Sequence, residues 1–343
     1  MRLRNLAIAG LFLLLPLSAR ADADWFASLY TNEGIELRAD ERIFTLYSLL
    51  NAAGYDESPL VRQFPVPARD MHPVRLKIRQ AVRLEPGQLA KANGYFDAHP
   101  LPASLYARYV LALKGPGGFE RTPAAAADLK GAEALLADVY GRQKLAELFA
   151  STQDEYRSAL KGYHGVVDAP VMATRKLLKL KDDELARVVL VVNLLDARGR
   201  SFSQAVGEEL YVVLGPSREP DLFAVAKEIS RARLFPLVTA KLGGAKGLSE
   251  AMMAAREAGA EADSPADFAT EVLARSFAAR ALNLSETELE AQARGGYAAV
   301  REVTKAVEAF AKNDKQALDA FVSEGLALVA KDPKEAAGKK KGK

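Results

Sequence analysis

The chain has 343 residues, 49% of them hydrophobic and 27% charged, with no cysteine and a formal charge of +3. That length and apolar fraction suit one large or two medium globular domains and exclude an intrinsically disordered chain. The lack of cysteine excludes disulfides, a thiolate metal site, a cysteine nucleophile and a cysteine lipid anchor.

In chain order, Arg2 and Arg4 precede an apolar run over 6–17, and Ala19-Arg20-Ala21 supplies a small-x-small cleavage pattern. The run is too short to span a bilayer comfortably, so residues 1–21 read as a signal peptide and the product as exported, periplasmic or secreted. No later segment reaches about 18 uninterrupted apolar residues, so no membrane span is expected after cleavage. Arg2, Arg4 and Arg20 account for the whole +3, and the tail 334–343 carries five Lys against one Glu, which leaves 22–333 with four excess acids. The Lys/Ala/Gly composition of that tail predicts disorder.

Residues 22–165 read as a helical N-terminal region. Apolar spacing predicts helices over 40–53, 74–84, 87–97, 102–113, 123–140 and 142–162. Pro59, Pro65, Pro67 and Pro73 make 58–73 a crossing loop. Gly115-Pro116-Gly117-Gly118 lacks the Gly and Lys of a phosphate cradle, so no nucleotide site is read there. The pattern changes in 166–333. Residues 187–195 (RVVLVVNLL) are β-branched and apolar on both faces, as a buried strand requires, and 209–214 (ELYVVL) is a second strand. Helices are expected over 219–241, from Ser264 onward, over 285–311 and over 314–331. Ser264-Pro265-Ala266-Asp267 is a capping box with Pro in the first turn. The fold class is α+β, mainly α: a helical half, then a small sheet with further helices.

The helix over 219–241 is the informative one. Leu222, Val225, Ala226 and Ile229 form one apolar side, while Phe223, Leu234, Phe235 and Val238 lie on the others. A helix that is apolar nearly all round is a buried helix. Lys227, Glu228 and Arg231 therefore sit among large apolar neighbours, and buried charges require partners. Glu271 and Arg275 share a side with Phe268 and Val272 on the helix from Ser264, and point toward packing in the same way.

The order strand, Gly215-Pro216-Ser217, a helix bearing K-E-x-x-R, then a helix bearing Glu271 resembles the catalytic half of gluzincin-type zinc metallopeptidases. The likeness is to a group of secreted bacterial members with the motif H-E-x-x-H followed by a stretch such as Leu234-Phe235-Pro236-Leu237. Glu36-Leu37-Arg38, Leu50-Asn51-Ala52-Ala53-Gly54-Tyr55-Asp56 and His72-Pro73-Val74-Arg75 resemble the N-terminal region of the same group. The resemblance implies a zincin-like core over 166–333, with Glu228 in the place of the general base and Glu271 in that of the third ligand. H-E-x-x-H needs two neutral imidazoles to bind Zn²⁺. Here the two ligand positions hold Lys227 and Arg231, cations with no usable lone pair. The expectation is a vestigial site in which Lys227, Glu228, Arg231, Glu271 and Arg275 form a salt-bridge cluster, with no metal and no cofactor.

The three histidines, His72, His99 and His164, form no i,i+3 or i,i+4 ligand pair, and no G-x-S-x-G is present. Tyr297, after Gly295-Gly296, falls either at a cleft mouth or, as an ordinary tyrosine, in the core or on the surface. The Lys-rich tail lacks interleaved aromatics, so nucleic acid is not an expected partner. The expected function is that of an exported, catalytically inactive metallopeptidase-like protein, with strand 209–214 taken as an edge that could hold an extended peptide. The alternatives are an active hydrolase with an unconventional site around Glu228 and Glu271, and a helical periplasmic scaffold unrelated to peptidases.

Overall fold

The computed structural model describes residues 26–54, 71–181, 184–185, 187–244 and 246–331. The expected leader, nearly all of the crossing loop and the Lys-rich tail lie outside them. The described chain opens with two strands, β1 (Phe26–Tyr30) and β2 (Glu36–Asp40), in a region whose sequence reads as helical. In β2 the charges Glu36, Arg38 and Asp40 alternate with Leu37 and Ala39, yet all five residues are buried. The charged face is internally paired: Arg38 lies 2.7 Å from Glu36, Arg42 lies 2.7 Å from Asp40, and the Tyr211 hydroxyl stands 3.1 Å from Arg38. Alternating polarity normally marks a half-solvated strand, so this burial is set by the tertiary partners.

Asp40 also caps α1 (Glu41–Ala52) through the amide of Arg42. Then α2 (Pro73–Ala81), α3 (Pro86–Ala98) and α4 (Ala103–Leu111) fall within a few residues of expectation. The single helices expected over 123–140 and 142–162 are each broken. A 3₁₀ turn at Ala127–Leu129 precedes α5 (Ala132–Arg142), and α6 (Leu145–Ala150) is separate from α7 (Gln153–His164). The left-handed Gly131, at φ +106°, makes the first of these divisions, and Lys144, at φ +51°, separates α5 from α6. A helix not anticipated from sequence, α8 (Asp168–Leu177), leads to β3 (Arg187–Val192).

The stretch expected only to link two strands contains a third, β4 (Ser201–Val206), which turns back through Gly207 into β5 (Glu209–Leu214). The long α9 (Leu222–Lys241), α10 (Leu248–Glu257) and α11 (Pro265–Ala281) follow. The helix expected over 285–311 is two, α12 (Glu286–Arg294) and α13 (Val300–Lys312), interrupted where Gly296 takes φ +93°. The last helix is α14 (Leu318–Val329). The architecture is α+β, mainly α, as the sequence predicts.

The sheet order is β1-β2-β3-β5-β4, with β2, β3 and β5 parallel and the outer two strands antiparallel to their neighbours. Strands from both sides of residue 165 thus share one sheet. The order also corrects the expected docking edge: Glu209–Leu214 is hydrogen-bonded on both sides, to β3 and to β4, and the edge next to α9 is Ser201–Val206. Residues opposite one another in register share a face. One face carries Leu37, Leu190, Val212 and Ser203, and α9 packs on it; the other carries Arg38, Val191, Val213 and Phe202, on the side of α4. α11 lies against α9. No helix among the described residues is long and apolar enough to cross a membrane.

Candidate functional site

α9 starts at Asp221, whose side chain accepts a hydrogen bond from the Ala224 amide, and α11 starts at Ser264, which accepts from Asp267. Of the predicted capping box the serine half is formed, the Ser264 hydroxyl accepting from the Asp267 amide at 3.1 Å, while the Asp267 side chain accepts from that hydroxyl at 2.7 Å instead of from the Ser264 amide. The caps fix where each helix begins, and the packing of α11 against α9 brings the five expected site residues together.

Glu271 is the hub. Its Oε1 lies 3.3 Å from Lys227 Nζ and 2.8 Å from Arg275 Nε, and its Oε2 lies 3.4 Å from an Arg231 nitrogen. Lys227 also reaches Glu228 Oε1 at 3.0 Å. Glu228 is 1% exposed. Its carboxylate accepts hydrogen bonds from Ser201 at 2.8 Å and Ser203 at 3.1 Å, both on β4. Arg231 is held further by Asp267 at 2.8 Å. Arg275 donates to Gln292 at 2.5 Å and lies 4.0 Å from the centre of the Tyr297 ring. Tyr297 is buried, so of its expected placements the core one holds, with the ring acting as a cation–π lid on Arg275.

Electrostatics follow from this geometry. Burial pushes the Glu271 carboxyl up, but Lys227, Arg275 and Arg231 outweigh it and hold it down to about 2. Burial pushes Lys227 down, and Glu228 and Glu271 overcome that and raise it above its ordinary value. Arg231 is likewise raised against its burial, by Glu271, Glu228 and Asp267. All three groups are thus charged at neutral pH, Glu271 stabilising both cations and they it.

The expectation of an all-round buried α9 needs one correction. Leu234 and Val238 are buried, but Phe235 is 40% exposed, with the Arg231 guanidinium 5.8 Å from its ring. α9 therefore keeps one open side. Sequence reasoning also missed four participants. Ser201 and Ser203 lie in a stretch that reads as a linker, although S-x-S at strand spacing puts both hydroxyls on one face. Asp267 was legible only as a cap, and Arg108 of α4 carried no signal at all.

The site does not fit a zinc ion. The positions that would need neutral imidazoles hold cations, and the carboxylates that would remain as donors are saturated by ammonium, guanidinium and hydroxyl groups. Among the described residues no group of three or more His, Cys, Asp or Glu side chains is disposed to hold a metal. The histidines are elsewhere: His72 caps α2, His99 stacks on Tyr95 and His164 bonds to the Tyr30 carbonyl. Comparison of the chain with known protein families, curated proteins and solved structures finds no match to any of them.

Proposed function

We propose that this chain is an exported, catalytically inactive relative of the gluzincin-type metallopeptidases, retained for binding, in which a salt-bridge cluster replaces the zinc site. One observation carries the reading: Lys227 and Arg231, at the two positions where the motif calls for imidazoles, both contact Glu271, at the position of the third ligand. Two monovalent cations in place of a divalent metal keep Glu228 and Glu271 compensated, where removal of the metal alone would leave buried negative charge.

The same contacts argue against water activation. A general base needs an open oxygen facing a water molecule. Both Glu228 oxygens are taken, by Lys227 and Ser201 on one and by Ser203 on the other, in a residue with almost no exposure. No specific observation favours an active hydrolase or an unrelated scaffold. The binding role falls to β4, the free edge beside α9, where an extended peptide can add as a further strand.

Metal analysis of the purified protein tests the reading. It predicts no bound zinc in the native chain and zinc binding in the Lys227→His/Arg231→His double variant. Stoichiometric zinc in the native protein, retained through dialysis, would overturn it.

A further inference from the structure

The charge balance around the cluster is not closed. Lys227, Arg231 and Arg275 are matched by Glu228, Glu271 and Asp267, linked through five ion pairs. A fourth cation stands beside them. Arg108, half-buried on α4, makes no ion pair among the described residues, and its Nε is buried with no hydrogen-bond acceptor among them. Its guanidinium carbon lies 6.0 Å from the centre of the Phe202 ring, on the α4 side of β4. Burial and the charge of Arg231 press its pKa down, while Glu228 and Asp267 oppose them from across the strand. A buried Nε without an acceptor costs some stability, so a cation kept here calls for a route by which an acceptor can reach it.

β4 supplies one. In an antiparallel pair, alternate residues turn their amide groups toward the partner strand. The Arg200 carbonyl accepts from the Gly215 amide, which directs Phe202 and Gln204 toward β5 and leaves the backbone groups of Ser201 and Ser203 facing the free edge. Ser203 and Gln204 are half-buried and Ala205 is exposed, so the edge is open to solvent beside Arg108. A strand added there would present its side chains alternately to the α9 face and to the α4 face. The residue opposite Phe202 would point to the α4 face, where Arg108 waits. We infer that the ligand of this edge is an acidic extended peptide whose carboxylate, at the position facing Phe202, is bound by Arg108. The inference rests on the reading of β4 as a peptide-holding edge and adds the chemistry of what that edge selects: one carboxylate matches the one positive charge in excess and fits the planar fork of an arginine.

The test uses the full chain and a fluorescein-labelled, end-blocked pentapeptide of alternating threonine and valine with a central glutamate, against the same peptide with glutamine. Fluorescence anisotropy should show the acidic peptide binding about ten-fold more tightly, the size of effect a charge-assisted hydrogen bond supplies. In Arg108→Gln that preference should vanish while affinity for the glutamine peptide is unchanged, and Arg108→Lys should keep part of it. Equal binding of the two peptides by the native chain would overturn the role of Arg108 and leave strand addition standing, as would a preference that persists in Arg108→Gln. Binding of neither peptide would overturn both. Tight binding of inorganic phosphate that depends on Arg108, without binding of the acidic peptide, would make this a free-anion site and overturn the inference. Because Arg108 makes no ion pair among the described residues and only a long cation–π contact with Phe202, Arg108→Gln should melt close to the native chain. A melting temperature lower by several degrees would mark Arg108 as structural and overturn the inference as well.

Discussion

Glu271→Gln should unfold the site in a way that pH can trace. In the folded protein three cations contact the Glu271 carboxylate, and its pKa is held at about 2 against an ordinary 4.5. At roughly 1.4 kcal/mol per pKa unit, that gap is worth about 3 kcal/mol of folding stability. Glu271 is only 8% exposed, so little of this is lost to solvent screening. The pKa is depressed on folding, so the contribution is complete above pH 4.5 and is lost as pH falls from there toward 2. Gln is nearly isosteric but cannot carry the charge, and it leaves Lys227, Arg231 and Arg275 with like-charge repulsion. At pH 7 the variant should therefore lose about 3 kcal/mol, and up to about 5 kcal/mol if the stranded cations cannot relax. Urea titrations followed by circular dichroism at pH 7, 5, 4 and 3 measure this, and carboxylates common to both proteins cancel in the difference. The gap between native and variant should shrink steadily below pH 4.5. A variant as stable as the parent at pH 7, or a gap constant from pH 7 to pH 3, would refute the reasoning.

Three further outcomes are expected. Ser201→Ala with Ser203→Ala removes both hydroxyl donors from the buried Glu228 carboxylate and should cost about 2–4 kcal/mol in urea unfolding. A loss under about 0.5 kcal/mol would show that the β4 contacts do not hold Glu228. Asp40→Ala removes the cap of α1 and the carboxylate partner of buried Arg42, which still donates to the Leu111 and Leu113 carbonyls; about 3–5 kcal/mol should be lost, visible as a lower melting temperature. Gly296→Ala forces a side chain into φ +93° and places Cβ 2.5 Å from the Ala255 carbonyl oxygen and 2.7 Å from the Ala260 amide. It should destabilise by more than about 2 kcal/mol, and a neutral result in thermal denaturation would contradict the packing of α10 against the turn before α13.

Much of the fold was legible because local signals and burial agreed. The strand Glu209–Leu214 was read to the residue because Leu210, Val212 and Val213 are apolar on both faces, as an internal strand must be. That same two-faced pattern argues against an edge position, and the sheet order bears this out. The Ser264 cap fixed the start of α11 by a hydrogen bond that needs no tertiary partner. β2 and β4 were illegible for a shared reason. Polar residues on them, buried in β2 and half-buried in β4, pair with distant side chains, Arg38 with Tyr211 and Ser201 with Glu228, so polarity in the sequence no longer reports exposure. The long helix over 123–140 failed where Gly131 turns left-handed, and the one over 142–162 failed at Ser151-Thr152, where α6 ends and α7 begins.

The candidate site divides in the same way. The sequence by itself determined that Lys227, Glu228 and Arg231 stand on one helix, that Glu271 and Arg275 stand four residues apart on another, and that these charges sit among apolar neighbours. Helical periodicity is local, and it places side chains on a face without reference to the rest of the chain. Only the tertiary structure decided that the two faces meet, that Ser201, Ser203 and Asp267 complete the pairing, that the free edge is Ser201–Val206, and that Arg108 is left over. A charge finds its partner through space and burial, and neither is written in the spacing of residues along one element.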